Sequence, residues 1–226
     1  MNLKIVVPLT QEQPSQDFQK EIPQTIPKII SKYSKEFKIA SDLSKVPLVL
    51  LYSIAMVESR GRHFLNSGEV YVSGAERSVG MMQISPAMFF EVYRKELLSK
   101  RVPLQTKQFV DKYLPNMNYS KQPPTSQQKE QILEALKNVQ FNILGSALVF
   151  RHLLDKTIGS DGTARIDKAI LLYNAGMYHR ATKTTNYTTG DTTALIKVVP
   201  TITQSYIRNI AGKNGTMYYM KLNNLI

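Results

Sequence analysis

The chain has 226 residues, 42% of them apolar, with three histidines, no cysteine and a formal net charge of +12. The lack of cysteine excludes disulfides, a thiolate nucleophile and cysteine metal ligands, and no apolar run approaches the ~18 residues of a membrane-spanning helix. The cationic excess favours a polyanionic partner, whether nucleic acid, an anionic membrane surface or a cell-wall polymer bearing carboxylates and phosphates.

Residues 1–25 carry Pro8, Pro14 and Pro23 within a Gln/Glu/Ser-rich stretch. That composition resists regular structure and predicts an extended N-terminal arm, ordered by lying on its own domain or on a protein partner. The brief apolar run before Pro8 lacks the length of a secretory signal, so none is read there. A short helix is expected from Pro27 through Ile30 and Tyr33 to Phe37.

The stretch Pro47 to Gly61 then reads as a helix of about four turns, with proline in its first turn and glycine just past its end. Leu51, Ile54, Ala55 and Glu58 share one of its faces, so Glu58 is expected to point inward at a helix end bordering an apolar core. Desolvation there disfavours the charged form and raises the pKa, which suits a general acid working near neutral pH. The competing reading is an exposed glutamate on a frayed last turn.

Val70 to Val72, flanked by Gly68 and Gly74, predicts a short strand or hairpin piece. A glycine turn at Gly80, an amide at Gln83 and a helix capped by Ser85 with Pro86 at its first position follow, running to about Leu98. Met81, Met82 and Met88 read as core. Residues 99–124 are basic, aromatic and proline-containing, and predict an insertion or flap. Thr125 to Gln128 has capping-box spacing and opens one long helix through Ile132, Val139, Phe150 and Leu154. Asp167 is expected to cap a helix ending at Gly176, Thr182 to Thr193 to form a loop, and a last helix to lie near Thr203 to Ile210 before an aromatic tail over 213–226.

The cations are scattered, with no basic helix and no aromatic-interleaved stripe, so nucleic acid is not the expected partner. His63, His152 and His179 form no closely spaced ligand pair, and neither a metal nor another cofactor is expected.

Four separated motifs share an order and spacing with one family. Glu58-Ser59 at the end of an apolar helix, Ser78-Val-Gly-Met-Met-Gln-Ile-Ser-Pro86, Leu172-Tyr-Asn-Ala-Gly176 and Thr203-Gln-Ser-Tyr-Ile207 resemble the motifs of the soluble lytic transglycosylases, glycoside hydrolase family 23. The resemblance covers about 44–93 and, more loosely, 138–210. It implies a mainly α, lysozyme-like helical domain over about 26–212 with at most a short β-hairpin. The chain departs from the family at Met81-Met82, where leucine followed by methionine is usual, and at Ile202, where the closing motif carries glutamate.

The resemblance further implies a lytic transglycosylase acting on peptidoglycan glycan strands, with Glu58 as the single catalytic acid. Ser59 and Gln83 would hold Glu58 or the sugar, Tyr173 and Asn174 would position the muramic unit, Tyr206 would donate toward the acid, and Met81 would line the groove. From spacing alone, Tyr173 and Tyr206 read equally well as core aromatics. The rival readings are a goose-type lysozyme-like hydrolase, for which Glu69 or Glu76 would supply a second carboxylate, and a structural component of a phage tail or secretion machine. A basic chain with an arm and no signal is expected in a virion or at the cell envelope.

Overall fold

The computed structural model describes residues 9–63, 72–73, 78–120, 123–159, 163–176 and 192–225. Among them the protein is mainly α, with ten helices and one two-stranded antiparallel hairpin. None of these helices is long and apolar enough to cross a membrane.

Helix α1, Gln16–Ser44, takes up much of the stretch expected to be extended. Its buried residues Phe18, Ile22, Ile26, Ile29, Tyr33, Phe37 and Ala40 recur every three or four positions, which makes one continuous apolar stripe. Pro23 and Pro27 lie on its exposed face, so the carbonyls they leave without an intrahelical donor meet water. An interior proline costs a helix about 3 kcal/mol, whereas burying each large apolar side chain returns about 1.5–3 kcal/mol. The stripe outweighs the two prolines, and the extended arm ends at Ser15, which caps the helix by accepting from Phe18 N.

Helix α2, Leu48–Ser59, has Leu50, Leu51, Tyr52, Ser53, Ile54, Ala55 and Met56 all buried and therefore sits inside the molecule. It closes with Arg60 and Gly61 at φ +56° and +70°, and their N–H groups donate to Met56 O and Ala55 O at 3.0 and 3.1 Å. This double cap satisfies carbonyls that would otherwise be buried without donors. The hairpin follows, with β1, Val72–Ser73, paired to β2, Ser78–Val79. Only the last residue of the expected strand, Val72, belongs to it, because 64–71 fall outside the described residues.

Helix α3, Pro86–Leu98, begins where expected, with Ser85 accepting from Met88 N. The predicted flap contains a helix, α4, Leu104–Tyr113, which buries Thr106 and Val110. The single long helix expected after Thr125 is two: α5, Ser126–Leu136, and α6, Val139–Lys156. Asn138 breaks it because its side chain accepts from Gln140 N and Phe141 N, starting a new helix in a new direction. Helix α6 packs against α1, α3, α5 and α7 and forms the centre of the bundle.

Helix α7, Ile166–Ala175, starts at Ile166, so Asp167 is a first-turn residue and not the cap. Its buried carboxylate instead takes Arg165 at 2.5 Å and Thr192 at 3.0 Å. Helices α8, Thr192–Lys197, α9, Thr201–Ala211, and α10, Thr216–Leu222, complete the chain. Most of the expected threonine-rich loop lies outside the described residues. The tail is helical, with Met217 and Met220 buried.

The described part of the arm lies on its own domain. Leu9 N donates to Ala211 O at 2.8 Å, Lys213 N to Thr10 O at 3.0 Å, and Arg208 Nε to Glu12 Oε2 at 2.6 Å. Gly212 sits beneath this strand, where an added Cβ would press on the main-chain oxygens of Glu12 and Arg208. Gly212→Ala is therefore expected to lift the arm and to lower stability by about 1–3 kcal/mol. Amide hydrogen exchange checks this: protection should fall at Leu9 and Lys213 while the amides of α6 keep theirs.

Candidate functional site

Helix α2 delivers Glu58 to the floor of an open pocket of about 300 Å³, lined also by Ser78, Gln83, Ser85, Met88, Tyr173, Asn174, Ala175 and Gly176. Glu58 is the only acid among the described residues that line it. Tyr206 of α9 donates its hydroxyl to Glu58 Oε1 at 2.7 Å. Part of the glutamate still meets solvent through the pocket, but protein encloses the carboxyl closely enough for burial to raise its pKa from 4.5 to about 7, against the opposing pull of the Tyr206 hydrogen bond. The acid therefore holds its proton near neutrality. Tyr206 is itself buried next to Glu58, which keeps its hydroxyl protonated and donating well above the ordinary tyrosine range.

The opposite wall is the tight turn Gly80–Gln83, closed by Val79 N donating to Ile84 O at 3.1 Å. Gly80 adopts φ +77° and Gln83 φ +48°, a left-handed conformation that is rare for a non-glycine residue. Buried side chains hold the turn. Ser59 Oγ donates to Met81 O at 2.8 Å, and Met81 N donates to His63 Nδ1 at 3.2 Å. Met82 N donates to Asn142 Oδ1 at 3.0 Å, and Tyr173 Oη donates to Met82 O at 2.8 Å. Asn142 also donates through Nδ2 to Val79 O at 2.8 Å. Both peptide groups of Met81 and Met82 are thus satisfied by side chains, which presents Gln83 to the pocket.

The structure brings Glu58, Gln83, Tyr173, Asn174 and Tyr206 together, but two expected roles change. Ser59 does not reach Glu58; its hydroxyl holds Met81 O. Met81 is fully buried and does not line the pocket, because its main chain is engaged in the turn while its side chain packs in the core. Tyr173 contributes its ring to the pocket while its hydroxyl holds the turn. Asn174 is oriented by Thr203, whose hydroxyl donates to Asn174 Oδ1 at 3.0 Å. Glu69 and Glu76 lie outside the described residues.

No site role was expected of His63, Asn142 or Thr203, although His63 was weighed as a metal ligand and Thr203 opens the closing motif. Asn142 carried a signal, an amide between Phe141 and Ile143 in an otherwise apolar helical stretch. Among the described residues no cluster of three or more His, Asp or Glu is placed to hold a metal ion. A larger cavity of about 380 Å³ shares no lining residue with this pocket. Of its charged groups, Glu96 pairs with His152 and Arg101, and Arg151 with Asp155. No protein-family model, curated protein or solved structure matches the chain.

A carboxyl with a raised folded-state pKa binds its proton more tightly in the folded chain than in the unfolded one, so stability is lost as pH rises from 4.5 through about 7. Glu58→Gln removes that loss. The variant is expected to equal the wild type near pH 4 and to exceed it at pH 8 by on the order of 3 kcal/mol, or about 6–12 °C in Tm for a chain of this size. Thermal unfolding at the two pH values checks this without any substrate.

Proposed function

We propose that the protein is a peptidoglycan lytic transglycosylase. The observation that carries this reading is a lone carboxyl with a pKa raised to about 7, held by Tyr206 in a pocket that contains no other described acid. The four motifs that resemble the soluble lytic transglycosylases supply that carboxyl, the Gln83 turn, the Tyr173–Asn174 wall and Tyr206.

In this reaction the Glu58 proton passes to the glycosidic oxygen between N-acetylmuramic acid and N-acetylglucosamine as the C1–O4 bond breaks. The resulting carboxylate then takes the proton of the muramic C6 hydroxyl, and O6 closes on C1 to give the 1,6-anhydro product. The proton returns to Glu58, so one residue serves as acid and then as base. Most glycosidases need a second carboxylate to activate water or attack C1; intramolecular closure needs neither. Tyr206 assists the first half, since its hydrogen bond favours the carboxylate that forms when the proton leaves. Gln83 and Asn174 line the pocket with amide groups, a chemistry suited to the hydroxyls and N-acetyl groups of the sugar, although Gln83 Nε2 already donates to Gly80 O at 2.8 Å. The surplus cations would draw in wall polymer carrying carboxylates and phosphates. This activity fits local opening of the wall by a phage tail or secretion apparatus, with the protein in a virion or at the envelope.

Muropeptides released from purified peptidoglycan and identified by mass spectrometry test the reading. Anhydromuramic ends are expected from the wild type, falling by about 10²–10⁴-fold in Glu58→Gln. Reducing ends would replace the reading with a goose-type hydrolase, and no release from either protein would favour a structural role. In Tyr206→Phe, loss of the donor should raise the Glu58 pKa further, moving the basic limb of the rate profile to higher pH while the rate falls.

A further inference from the structure

The four main-chain groups of Met81 and Met82 are held by four side chains: Ser59, His63, Asn142 and Tyr173. Ser59, Asn142 and Tyr173 keep their donor or acceptor character throughout the neutral and mildly acidic range, and burial raises the Tyr173 hydroxyl further. His63 is the exception, because an imidazole changes from acceptor to donor when it binds a second proton.

The hydrogen bonds fix its state. Met81 N–H points at His63 Nδ1, so Nδ1 carries the lone pair, and Nε2–H donates to Lys137 O at 2.6 Å. This neutral tautomer satisfies both partners. A proton added at Nδ1 would face the Met81 N–H, and two donors cannot share one contact. The ring is buried. Lys32 of α1 adds repulsion, Lys137 carries an ammonium paired with Glu134, and the Arg62 guanidinium is bonded to Ser59 O. Burial first, and Lys32 in addition, hold the imidazole below its ordinary pKa, although the bond to Lys137 O opposes them.

We propose that His63 is a positioning residue for the site: its neutral Nδ1 fixes the Gly80–Gln83 turn opposite Glu58, and its protonation releases that turn and disables the site at acid pH. The consequence for activity rests on the transglycosylase reading. In that chemistry protonated Glu58 is the active form, so the catalytic acid gives a basic limb near pH 7 and no acid limb. An acid limb below pH 6.5 would then report His63 and not a second catalytic carboxylate, and the working window lies between the two titrations.

The test combines NMR of the wild type with rate profiles of two variants. As His63 is titrated downward from pH 7, the Met81 amide and the Gln83 side-chain amide should shift with the same midpoint as the His63 ring. In His63→Asn, Asn Oδ1 can accept from Met81 N–H without titrating. That variant should keep its rate below the midpoint of the His63 titration, where the wild type loses about tenfold per pH unit. In His63→Leu, which lacks an acceptor, kcat should fall at every pH and the acid limb should vanish. Met81 and Gln83 resonances that ignore the His63 titration would overturn the proposal, as would an acid limb surviving in His63→Asn. If the wild type releases no anhydromuramic product, the transglycosylase reading fails alone, and the NMR titration still decides whether His63 governs the turn.

Discussion

A carboxyl group rides at the end of a helix that is buried on all sides, and the rest of the molecule is built to enclose that helix. Seven consecutive residues of α2, Leu50 to Met56, are buried, and each large apolar side chain among them returns about 1.5–3 kcal/mol on leaving water. Holding Glu58 where its pKa is about 7 costs on the order of 3 kcal/mol once the group ionises. The apolar burial exceeds that several-fold, so the fold can keep an acid in a position that the acid itself opposes. Enclosure comes from α1, α9 and α10, all of which pack on α2. Of these, α9 also supplies the one hydroxyl that touches the carboxyl.

The second wall is made by another principle. A four-residue turn with two left-handed residues does not persist by itself, and here four buried side chains over-determine it. Each closes a main-chain group that would otherwise be buried without a partner, at about 1–3 kcal/mol per orphan. Those side chains come from the end of α2, the segment after it, α6 and α7, so the turn registers the relative placement of the elements that form the pocket. Gly80 completes the arrangement, since a Cβ there would collide with the Asn142 amide that holds the turn.

Much of this was legible in the sequence because it is local. The inward face of Glu58, the Pro86 and Gly61 boundaries and the capping box at Thr125 each follow from a few neighbouring residues. The resemblance of Thr203 to Ile207 to the family's closing motif also implied that Tyr206 would donate toward the acid, and its hydroxyl reaches Glu58. What was missed depended on partners far along the chain. Pro23 read as part of an extended arm and Pro27 as the start of a short helix until the buried stripe from Phe18 to Ala40 is seen to run past them on the opposite side. Asn138 read as one more position of a long helix until its side chain capped a new one. The resemblance gave Ser59 the role of holding Glu58 or the sugar, yet its hydroxyl reaches Met81, 22 residues away. His63 and Asn142 had no visible role because the main-chain groups they satisfy exist only once the turn has formed.

Charge and chemistry are separated in this molecule. Burial and one neutral hydrogen bond set the Glu58 pKa, and among the described residues no cation contributes, although the chain carries a net charge of +12. A nearby lysine or arginine would stabilise the carboxylate and pull the pKa down, leaving too little of the protonated form at neutral pH. The cations can act at longer range, where their attraction for a polyanion is screened by salt. Arg208 illustrates the division: it lies on α9 two residues beyond Tyr206, and a helical advance of two residues turns it to another face. There its guanidinium binds Glu12 of the arm, so this cation secures the outside of α9 while the tyrosine alone addresses the acid within.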